Sequence, residues 1–303
     1  MTAGVVRPAP TVRVGIDAGG TRTRARAALA GIIVHDGTGG PGNPLTTEAT
    51  TLQRSFRAAL AGCPPASHVI ACVAGTSGPA QHGQLATMLA RLVPDAIIRV
   101  LPDYVAALYA APAGTDVCVI AGTGSVICSK ASDGGYPVSG GLGWMLGDHG
   151  SAVRLGRAAL EYFVTDPASA SPSFAAGIEA VFGARDDRMV ARAINTAPHP
   201  PQLLARAAPL LTAAADDRAE WALSLLGDEM TGLARTAAGH IARYAADRVP
   251  VRIALSGGVW ASPAAEAAFT AALAQLSPRR AEVVRSASDP VDGAVRLAET
   301  MTG

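Results

Sequence analysis

The sequence predicts an α/β protein of two domains, and three observations support this prediction. The chain has 303 residues, which is enough for two domains. A strand, a glycine-rich turn and a second strand occur at 12–28 and again at 117–130. Alternating strand and helix patterns follow each copy, as is typical of α/β domains. The two copies share little sequence, so the repeat is one of topology.

The composition excludes several classes of protein. Hydrophobic residues make up 49% of the chain and charged residues 16%, as in a globular protein with a large core. The net charge of +1 gives no general attraction to nucleic acids or anionic membranes. Lys130 is the only lysine, so a GxxxxGK[ST] phosphate loop cannot be written in this sequence.

The sequence also bears on the compartment. It contains no apolar run long enough to cross a bilayer, and its first residues, MTAGVVRPAPTVR, contain no apolar signal core. The four cysteines lack CxxC spacing; they are Cys63, Cys72, Cys118 and Cys128. We therefore expect buried, reduced thiols and a cytoplasmic protein.

The first domain opens on the stretch around which the chain is organised. Apolar residues alternate with others from Val12 to Ile16, the period-two pattern of a strand, and this strand ends at Asp17. We expect Gly19-Gly20 to form a turn with positive φ before the second strand. Such a turn can point backbone N–H groups at a phosphate, and the carboxylate can hold a hydrated Mg²⁺. An ordinary hairpin with an exposed aspartate is the alternative.

The rest of the first domain alternates between strands and helices. A third strand near 31–35 precedes the loop GTGGPGNP, in which Asn43 is either a ligand or a plain turn residue. Apolar residues at helical spacing predict a helix at 50–61, with Thr50 or Thr51 as its cap. The remaining elements predicted here are strands at 68–74 and 97–101 and helices at 81–92 and 104–111.

The second domain opens at Asp116 with a hairpin. Its strands, at 117–121 and 126–130, flank the turn Gly122–Ser125. A glycine-rich loop at 139–152 leads into a helix at 151–163. The elements predicted after it are a mostly helical region at 164–247 with breaks near 165–173 and 197–201, strands at 251–255 and 282–285, and helices at 263–275 and 292–301.

These elements divide the chain into three parts. Residues 1–11 form a flexible tail, residues 12–115 an N-terminal α/β domain, and residues 116–289 a C-terminal α/β domain with a helical insertion. We expect the closing helix, at 290–303, to complete the N-terminal domain.

Four strand ends carry glycine, hydroxyl or carboxylate residues. They are the stretches 17–23, 103, 122–125 and 257–259. Ligands of α/β proteins bind at the carboxyl ends of the strands. Together these four ends predict a nucleotide held between the two domains.

Five segments occur in a fixed order along the chain: DAGGTRTR, PDYVAAL, IAGTGS, GGLGWMLGDHGSA and LSGGVW. Together they resemble the BadF/BadG/BcrA/BcrD ATPase family, within the superfamily of sugar kinases, Hsp70 and actin. The resemblance is greatest to N-acetylglucosamine and glucosamine kinases, and IAGTGS with GDHGSA is its specific part. It implies a two-domain, actin-like (ribonuclease H-like) ATPase fold, with ATP, Mg²⁺ and a sugar in the interdomain cleft.

The resemblance implies roles for two aspartates. Asp103 matches the general base, a carboxylate that takes the proton of the sugar hydroxyl during phosphoryl transfer. A helix cap after Pro102 is the alternative for this residue. Asp17 matches the carboxylate that orients Mg²⁺ through water.

Other matched positions contact ATP or the sugar. The implied ATP-binding residues are Gly19, Gly20, Thr21, Thr23, Gly122, Thr123, Gly124, Gly257 and Gly258. The implied sugar-binding residues are Asn43, Gly75, Thr76, Ser77, Asp103, Gly122, Thr123, Trp144 and Asp148. Trp144 either packs on a face of the sugar ring or walls the loop.

One position departs from the family pattern. The usual GDEGS reads GDHGS here, so His149 replaces a carboxylate. The histidine is either structural or alters how an amino or acetamido group is recognised, since it can donate a hydrogen bond where glutamate only accepts.

The leading hypothesis is an ATP-dependent kinase acting on O6 of N-acetylglucosamine, with glucosamine as the alternative acceptor. Its partners are ATP and a small amino sugar, without nucleic acid or membrane, and a homodimer is compatible with it. An ATPase that activates a partner enzyme through an iron–sulfur cluster is the competitor, but the turn at 121–124 contains no cysteine. A nucleotide-binding regulator without turnover is disfavoured by the presence of Asp103.

Overall fold

The structure is a computed structural model that describes residues 11–76, 78–167, 170–277 and 280–301. The chain divides into two compact units: unit 1 comprises the described residues up to Pro112 and those from Ser286, and unit 2 is Ala113–Arg285. The tail predicted at 1–11, apart from Thr11, lies outside the described residues, and so does Ser77. In the part of the chain that is described, no helix is long and apolar enough to cross a membrane.

Unit 1 is a five-stranded sheet with helices packed on it. Its strands are β1 (Val12–Ala18), β2 (Thr23–Leu29), β3 (Ile32–Gly39), β4 (His68–Val73) and β5 (Ile97–Pro102). Its helices are α1 (Ala49–Ala59), α2 (Pro79–Ala90), α3 (Asp103–Ala110) and α11 (Pro290–Glu299). The strand order is β3-β2-β1-β4-β5; β1, β2 and β3 are antiparallel, while β4 and β5 run parallel to β1.

Two glycines let α11 lie directly on the rest of unit 1. A Cβ atom on Gly15 of β1 would lie 2.2 Å from the backbone nitrogen of Val295. A Cβ atom on Gly293 would lie 1.9 Å from the carbonyl oxygen of Ala106 in α3. These approaches leave no room for a side chain, so α11 makes backbone-level contact with both β1 and α3.

Ion pairs fix the start of α11 to the sheet. Arg24 of β2 binds Asp289 at 2.6 Å and Asp36 of β3 at 3.3 Å. Arg26, two residues along β2, pairs with Asp36 and with Asp292 in the first turn of α11. Aspartates at a helix N-terminus also interact favourably with the helix dipole.

Unit 2 repeats the sheet topology of unit 1. Its strands are β6 (Val117–Ala121), β7 (Ser125–Ser129), β8 (Val138–Gly140), β9 (Val251–Ser256) and β10 (Ala281–Arg285). The order β8-β7-β6-β9-β10 again has three antiparallel strands followed by two parallel ones. The predicted topological repeat and the two-domain α/β fold are confirmed.

The helices of unit 2 surround its hydrophobic core. They are α4 (Ala152–Thr165), α5 (Pro172–Phe182), α6 (Asp187–Asn195), α7 (Pro200–Ala205), α8 (Ala208–Asp216), α9 (Glu220–Tyr244) and α10 (Pro263–Leu276). The long helical region has more breaks than the sequence predicts, because Gly183 (φ 74°) and Arg218 (φ 67°) adopt left-handed conformations that end α5 and follow α8. The loop predicted at 139–152 also begins inside the short strand β8.

The predicted cap of α1 is wrong. Glu48, rather than Thr50 or Thr51, occupies the N-cap position, and its side chain makes no capping hydrogen bond. The helix is instead held by its buried face, on which Leu52, Phe56 and Ala59 contact the core. Burial of that apolar face stabilises the helix without a capping hydrogen bond from a hydroxyl group.

A buried histidine ties α9 to the sheet of unit 2. His240 is 1% exposed, with its Nδ1 2.9 Å from Ser139 Oγ and its Nε2 2.9 Å from Ser129 Oγ. Burial lowers the pKa of His240 to about 4. The imidazole is therefore neutral in the folded protein and links β7, β8 and α9 through two hydroxyl groups.

This histidine predicts a loss of stability in mild acid. The unfolded chain binds a proton at its ordinary pKa of 6.5, and the folded chain only near pH 4. The unfolding free energy should therefore fall by up to about 3 kcal/mol as the pH drops from about 7 to 4. Urea titrations at several pH values measure this fall. His240→Gln should flatten the curve, and an unchanged slope in that variant would contradict the assignment.

Candidate active site

Asp17 and Asp103 lie at the carboxyl ends of β1 and β5, the two strands on either side of β4 in unit 1. Asp17 is paired with Cys72 of β4, which is paired with Leu101 of β5, and Asp103 follows that strand directly. Burial raises the pKa of Asp17 to about 6, helped by the negative charge of Asp103. Burial also raises the pKa of Asp103. The sheet thus brings together two carboxylates that a cation or a proton would stabilise.

Asp103 is the first residue of α3. Pro102 occupies the N-cap position, and the Asp103 carboxylate accepts a hydrogen bond from the backbone N–H of Tyr104 at 3.0 Å. That contact is to the adjacent residue, whereas a capping side chain reaches two or three residues ahead. The geometry therefore lacks the capping bond on which the alternative interpretation depends. A carboxyl group whose pKa is raised is also better suited to accept a proton near neutral pH.

The first glycine turn differs from its prediction. The Gly19 N–H donates to the Arg22 carbonyl at 2.9 Å, but neither Gly19 nor Gly20 has a positive φ, so that expectation is wrong. A Cβ atom on Gly20 would meet nothing within 4 Å. Neither backbone strain nor crowding therefore requires a glycine at position 20. Because there is no side chain, the backbone here is open to the approach of a ligand.

The two threonines of this turn have different surroundings. Thr21 is exposed, as a phosphate-binding residue must be. Thr23 is 0% exposed, and a Cβ on Gly42 would lie 2.5 Å from its hydroxyl oxygen. The structure therefore places Thr23 beneath a neighbouring loop, and its predicted contact with ATP stays a prediction.

Asn43 and Gly75 come together at the carboxyl end of β1 and β4. A Cβ on Gly75, whose φ is +72°, would lie 2.1 Å from Asn43 Oδ1. The Gly42 N–H donates to the Gly19 carbonyl at 2.8 Å, so this loop rests on the first turn. Asn43 Oδ1 also accepts from the Leu45 N–H at 2.8 Å, the contact expected of a turn residue. Asn43 therefore stabilises its own turn, and it also lies beside Gly75, where a contact with the sugar is predicted.

Thr76 has a structural partner in the same loop. Its side chain is 9% exposed, and its hydroxyl donates to the Val73 carbonyl at 2.8 Å. This bond fixes the loop after β4 beside Gly75. Ser77, the next predicted sugar contact, is outside the described residues.

The second glycine turn, in unit 2, is fixed to the start of α4. The carbonyl of Gly122 accepts from the Ala152 N–H at 2.8 Å, and that of Thr123 accepts from the Val153 N–H at 3.3 Å. A Cβ on Gly122 would meet nothing within 4 Å. The carbonyl groups of the turn are therefore held by α4, while the backbone at Gly122 is open to a ligand, as a phosphate-binding turn must be.

Asp148 packs against this second turn. A Cβ on Gly124 would lie 2.8 Å from Asp148 Oδ2. Asp148 is 9% exposed and has φ +57°, a left-handed conformation that is unusual for a residue with a side chain. Burial raises its pKa, while the backbone N–H groups of Gly143 and Ser125 oppose that rise. Its Oδ1 is buried without a hydrogen-bond partner among the described residues, so a ligand donor would satisfy it.

The third glycine pair follows β9. Gly257 has φ +109°, and a Cβ there would lie 2.3 Å from the Ala121 carbonyl oxygen. A Cβ on Gly258 would meet nothing within 4 Å. Gly257 is therefore required by the fold, whereas Gly258 presents open backbone at the start of a short 3₁₀ turn.

This contrast predicts different effects of alanine at the two positions. Gly257→Ala should lower the free energy of unfolding by about 2–4 kcal/mol, because both its φ and its contact with β6 exclude a side chain. Gly258→Ala should change it by less than about 1 kcal/mol. Thermal melting of the two variants measures the difference. Equal destabilisation by both substitutions would contradict it.

Trp144 is partly buried and packs against the core of unit 2. This position matches the interpretation in which the ring walls the loop. Stacking on a sugar ring stays a prediction.

Two charged residues near these sites were given no role in the sequence analysis. Arg22 lies exposed at the tip of the first turn, and its charge lowers the pKa of Asp17 against the effect of burial. Glu229 of α9 is 8% exposed and accepts a hydrogen bond from the Gly150 N–H at 3.1 Å. Arg22 could have been found in DAGGTRTR, whereas no local pattern links Glu229 to a loop so distant in sequence.

Each unit, taken by itself, offers groups that suit a part of ATP with Mg²⁺. Open backbone at Gly20 in unit 1, and at Gly122 and Gly258 in unit 2, can approach phosphates or the nucleoside closely. Asp17 and Asp103 form a pair of carboxylates with raised pKa values. Over the described ranges there is no group of three or more His, Cys, Asp or Glu that could hold a metal. One or two carboxylates plus substrate phosphates and water is the donor set that Mg²⁺ prefers.

Solved structures resemble the chain over nearly its whole length. A proposed N-acetylglucosamine kinase from Chromobacterium violaceum is 25% identical, with a TM-score of 0.66 over 96% of this chain and 100% of that one. A proposed N-acetylglucosamine kinase from Porphyromonas gingivalis is 19% identical, with a TM-score of 0.76 over 95% and 99%. A ROK family glucokinase from Streptomyces griseus, in complex with glucose and AMPPNP, is 16% identical, with a TM-score of 0.64 over 96% and 100%.

These likenesses confirm the predicted actin-like sugar kinase fold. No curated protein matches the chain in sequence. The sequence profile of the BadF/BadG/BcrA/BcrD ATPase family matches residues 14–298. Because this match spans nearly the whole chain, the chain belongs to the BadF/BadG/BcrA/BcrD ATPase family.

Proposed function

We propose that the enzyme transfers the γ-phosphoryl group of ATP to the 6-hydroxyl of N-acetylglucosamine, with glucosamine as the alternative acceptor. The coarser statement, an ATP-dependent sugar kinase, follows from the family and from the fold. The finer one is supported by the similarity to two proposed N-acetylglucosamine kinases, one of them 25% identical.

The observation that carries the proposal is the half-buried Asp103 at the end of β5, beside Asp17. Its pKa, which burial raises, suits a group that accepts a proton near neutral pH. Asp103 would take the proton of the sugar hydroxyl while the oxygen bonds to the γ-phosphorus. The bond between that phosphorus and the oxygen of the leaving ADP breaks in the same transfer.

The other residues position the reactants. We assign Asp17 to hold Mg²⁺ through water, and Gly19, Gly20 and Thr21 to bind phosphates. In unit 2, we assign Gly122–Gly124 to phosphates and Gly258 to the adenosine side. When bound, Mg²⁺ neutralises the charge on the phosphates.

We assign the acceptor sugar to Asn43, Gly75 and Asp148. Asn43 lies beside the left-handed Gly75, and Asp148 has an unpartnered buried oxygen. These groups offer acceptors for sugar hydroxyls, and the Asn43 amide can also donate. An amino sugar presents hydroxyl and nitrogen groups that suit such a site.

The competing activator function needs cysteines that can bind a cluster. Cys118 and Cys128 are paired across β6 and β7, and both are 0% exposed. Thiols enclosed in a sheet do not suit a cluster at the second glycine turn. Among the described residues, the placement of these two thiols gives this hypothesis no support.

A coupled ADP-release assay tests the proposal. Its acceptors are N-acetylglucosamine, glucosamine, N-acetylmuramic acid, N-acetylmannosamine and glucose, with a reaction without sugar as the control. We expect the highest kcat/KM with N-acetylglucosamine and no turnover of its 6-deoxy analogue. Release of ADP that is independent of sugar, or equal turnover of the 6-deoxy analogue, would refute the proposed reaction.

A further inference from the structure

One face of α9 holds the loop that connects β8 to α4. The residues on this face recur every three or four positions, as neighbours on a helix surface do. They are Glu229, Gly232, Leu233, Thr236 and His240. We call these five residues the α9 stripe, and residues 139–151 the glycine-rich loop.

The members of the α9 stripe contact residues at the two ends of the glycine-rich loop. His240 binds Ser139, as described above. A Cβ on Gly140 would contact Thr236 at 3.6 Å, and a Cβ on Gly150 would contact Leu233 at 2.8 Å. The helix thus contacts both ends of the loop, at residues 139–140 and 149–150.

Glu229 is the charged anchor of this contact. Its Oε1 accepts from Arg154 Nε at 3.0 Å and from Arg154 Nη2 at 2.8 Å. Its Oε2 accepts from the Gly150 N–H at 3.1 Å and lies 3.3 Å from His149 Nδ1. A single carboxylate, 8% exposed, therefore holds residues 149, 150 and 154 at once.

Asp148 directly precedes His149 and Gly150, the two loop residues that Glu229 binds. Its left-handed φ of 57° is strained, and such strain persists only where the surroundings hold the backbone. Its Oδ1 is buried and has no hydrogen-bond partner among the described residues. Glu229 binds the two residues that follow, so it acts on the backbone that sets the direction of this free oxygen.

We propose that Glu229 is a positioning residue for the acceptor substrate. It fixes residues 148–150 so that Asp148 Oδ1 is free to accept a hydrogen from a hydroxyl or amide group of the sugar. This inference rests on the proposed function, in which Asp148 contacts the sugar. Glu229 itself contacts no substrate and acts through the loop backbone.

The same anchor accounts for His149. A glutamate at position 149 would bring a second carboxylate against Glu229, at a place where His149 Nδ1 lies 3.3 Å from Oε2. Like charges so close repel each other, whereas an imidazole N–H donates to the carboxylate. The histidine thus avoids this repulsion and can donate to Glu229 beside Arg154 and the Gly150 N–H.

Glu229→Gln tests the proposal. Glutamine keeps the size of the side chain. Its NH₂ group, however, must face either the Arg154 guanidinium or the Gly150 N–H, and neither of these donors can accept a hydrogen bond from it. We expect the KM for the sugar to rise by about 10-fold or more, because the loss of a charged hydrogen-bond acceptor in a buried site loosens the loop. The KM for ATP should change less than about 2-fold, since the Gly122–Gly124 turn is held by backbone hydrogen bonds from Ala152 and Val153, which Glu229 does not contact. Amide exchange at Gly150 should become faster.

A double-mutant cycle separates positioning from general damage. If Glu229 acts through Asp148, Glu229→Gln should change kcat/KM for the sugar by less than about 3-fold in an Asp148→Asn background. The same fold-loss in both backgrounds would overturn the inference. So would an unchanged sugar KM in the single variant.

Two further variants serve as control and replacement. Glu161→Gln breaks a 2.7 Å ion pair with Arg157 on the exposed face of α4 and should leave all constants unchanged. If Glu229→Gln fails to fold, Gly232→Ala replaces it, because its Cβ would lie 2.9 Å from His149 Cβ and displace the loop while leaving Glu229 intact. We expect it to raise the sugar KM in the same way, and an unchanged value would overturn the inference.

Failure of the proposed function can be distinguished from failure of this inference. If the wild-type protein phosphorylates no sugar, the proposed function is wrong. Amide exchange without any ligand still tests Glu229, since unaltered exchange at Gly150 in the variant would overturn its role in holding the loop.

Discussion

Asp103→Asn is expected to lower the turnover of sugar phosphorylation by about 10²–10⁴-fold, the usual effect of removing a general base. This corresponds to about 3–5 kcal/mol of activation barrier. Asparagine keeps the size of the side chain and an oxygen that can accept from the Tyr104 N–H. The fold and ATP binding should therefore survive while the proton acceptor is lost.

Three measurements decide this prediction. Turnover at saturating sugar and ATP should collapse, while the melting temperature and the Kd for ATP should stay close to the wild-type values. Asp133→Asn is a matched control, because this exposed turn residue accepts a backbone N–H in a similar local bond. A variant that melts early but retains turnover within a few-fold would instead assign Asp103 a structural role.

Asp17→Asn is expected to stabilise the protein while reducing its activity. Burial raises the pKa of Asp17 from 3.8 to about 6, so the folded protein favours the protonated carboxyl. The contribution of the protonated Asp17 to the free energy of unfolding is fully present below pH 3.8 and is lost as the pH rises through about 6. Removing the charge should raise the unfolding free energy at pH 7 by on the order of 2 kcal/mol. Activity should fall by about 10–100-fold, because the metal loses its carboxylate.

Melting without Mg²⁺ and turnover over a range of Mg²⁺ concentrations measure these two effects. Asp36→Asn is the matched control, since Arg26 and Arg24 lower the pKa of Asp36 against the effect of burial. Its loss should destabilise the protein by less than about 1 kcal/mol, the opposite sign. A destabilised Asp17→Asn variant with normal Mg²⁺ dependence would contradict the assignment.

Much of the fold could be predicted because its signals are local. Alternating apolar residues and small-residue turns identify the strands, and their order along the chain implies parallel strands whose carboxyl ends meet. That reasoning placed Asp17 and Asp103 at one end of the sheet. The buried position of Thr23 was also readable, since it shares its period-two face with Ala25 and Ala27, which are buried in β2.

Other features depend on contacts that no local pattern encodes. The sequence permits a positive φ at Gly19-Gly20 but does not require one, and the structure has none there. The role of Glu229 arises only when α9 packs against a loop far away in the sequence. The unpartnered oxygen of Asp148 likewise exists only because that loop is folded.

The position of α11 has a consequence for the order in which the two units can fold during synthesis. Unit 1 needs α11 on β1, yet all of unit 2 is synthesised between the two. A nascent chain that has emerged as far as Arg285 can assemble unit 2, but the β1 surface around Gly15 stays uncovered. We therefore expect unit 2 to fold during synthesis before unit 1 can be completed, because the segment that carries α11 is translated after it.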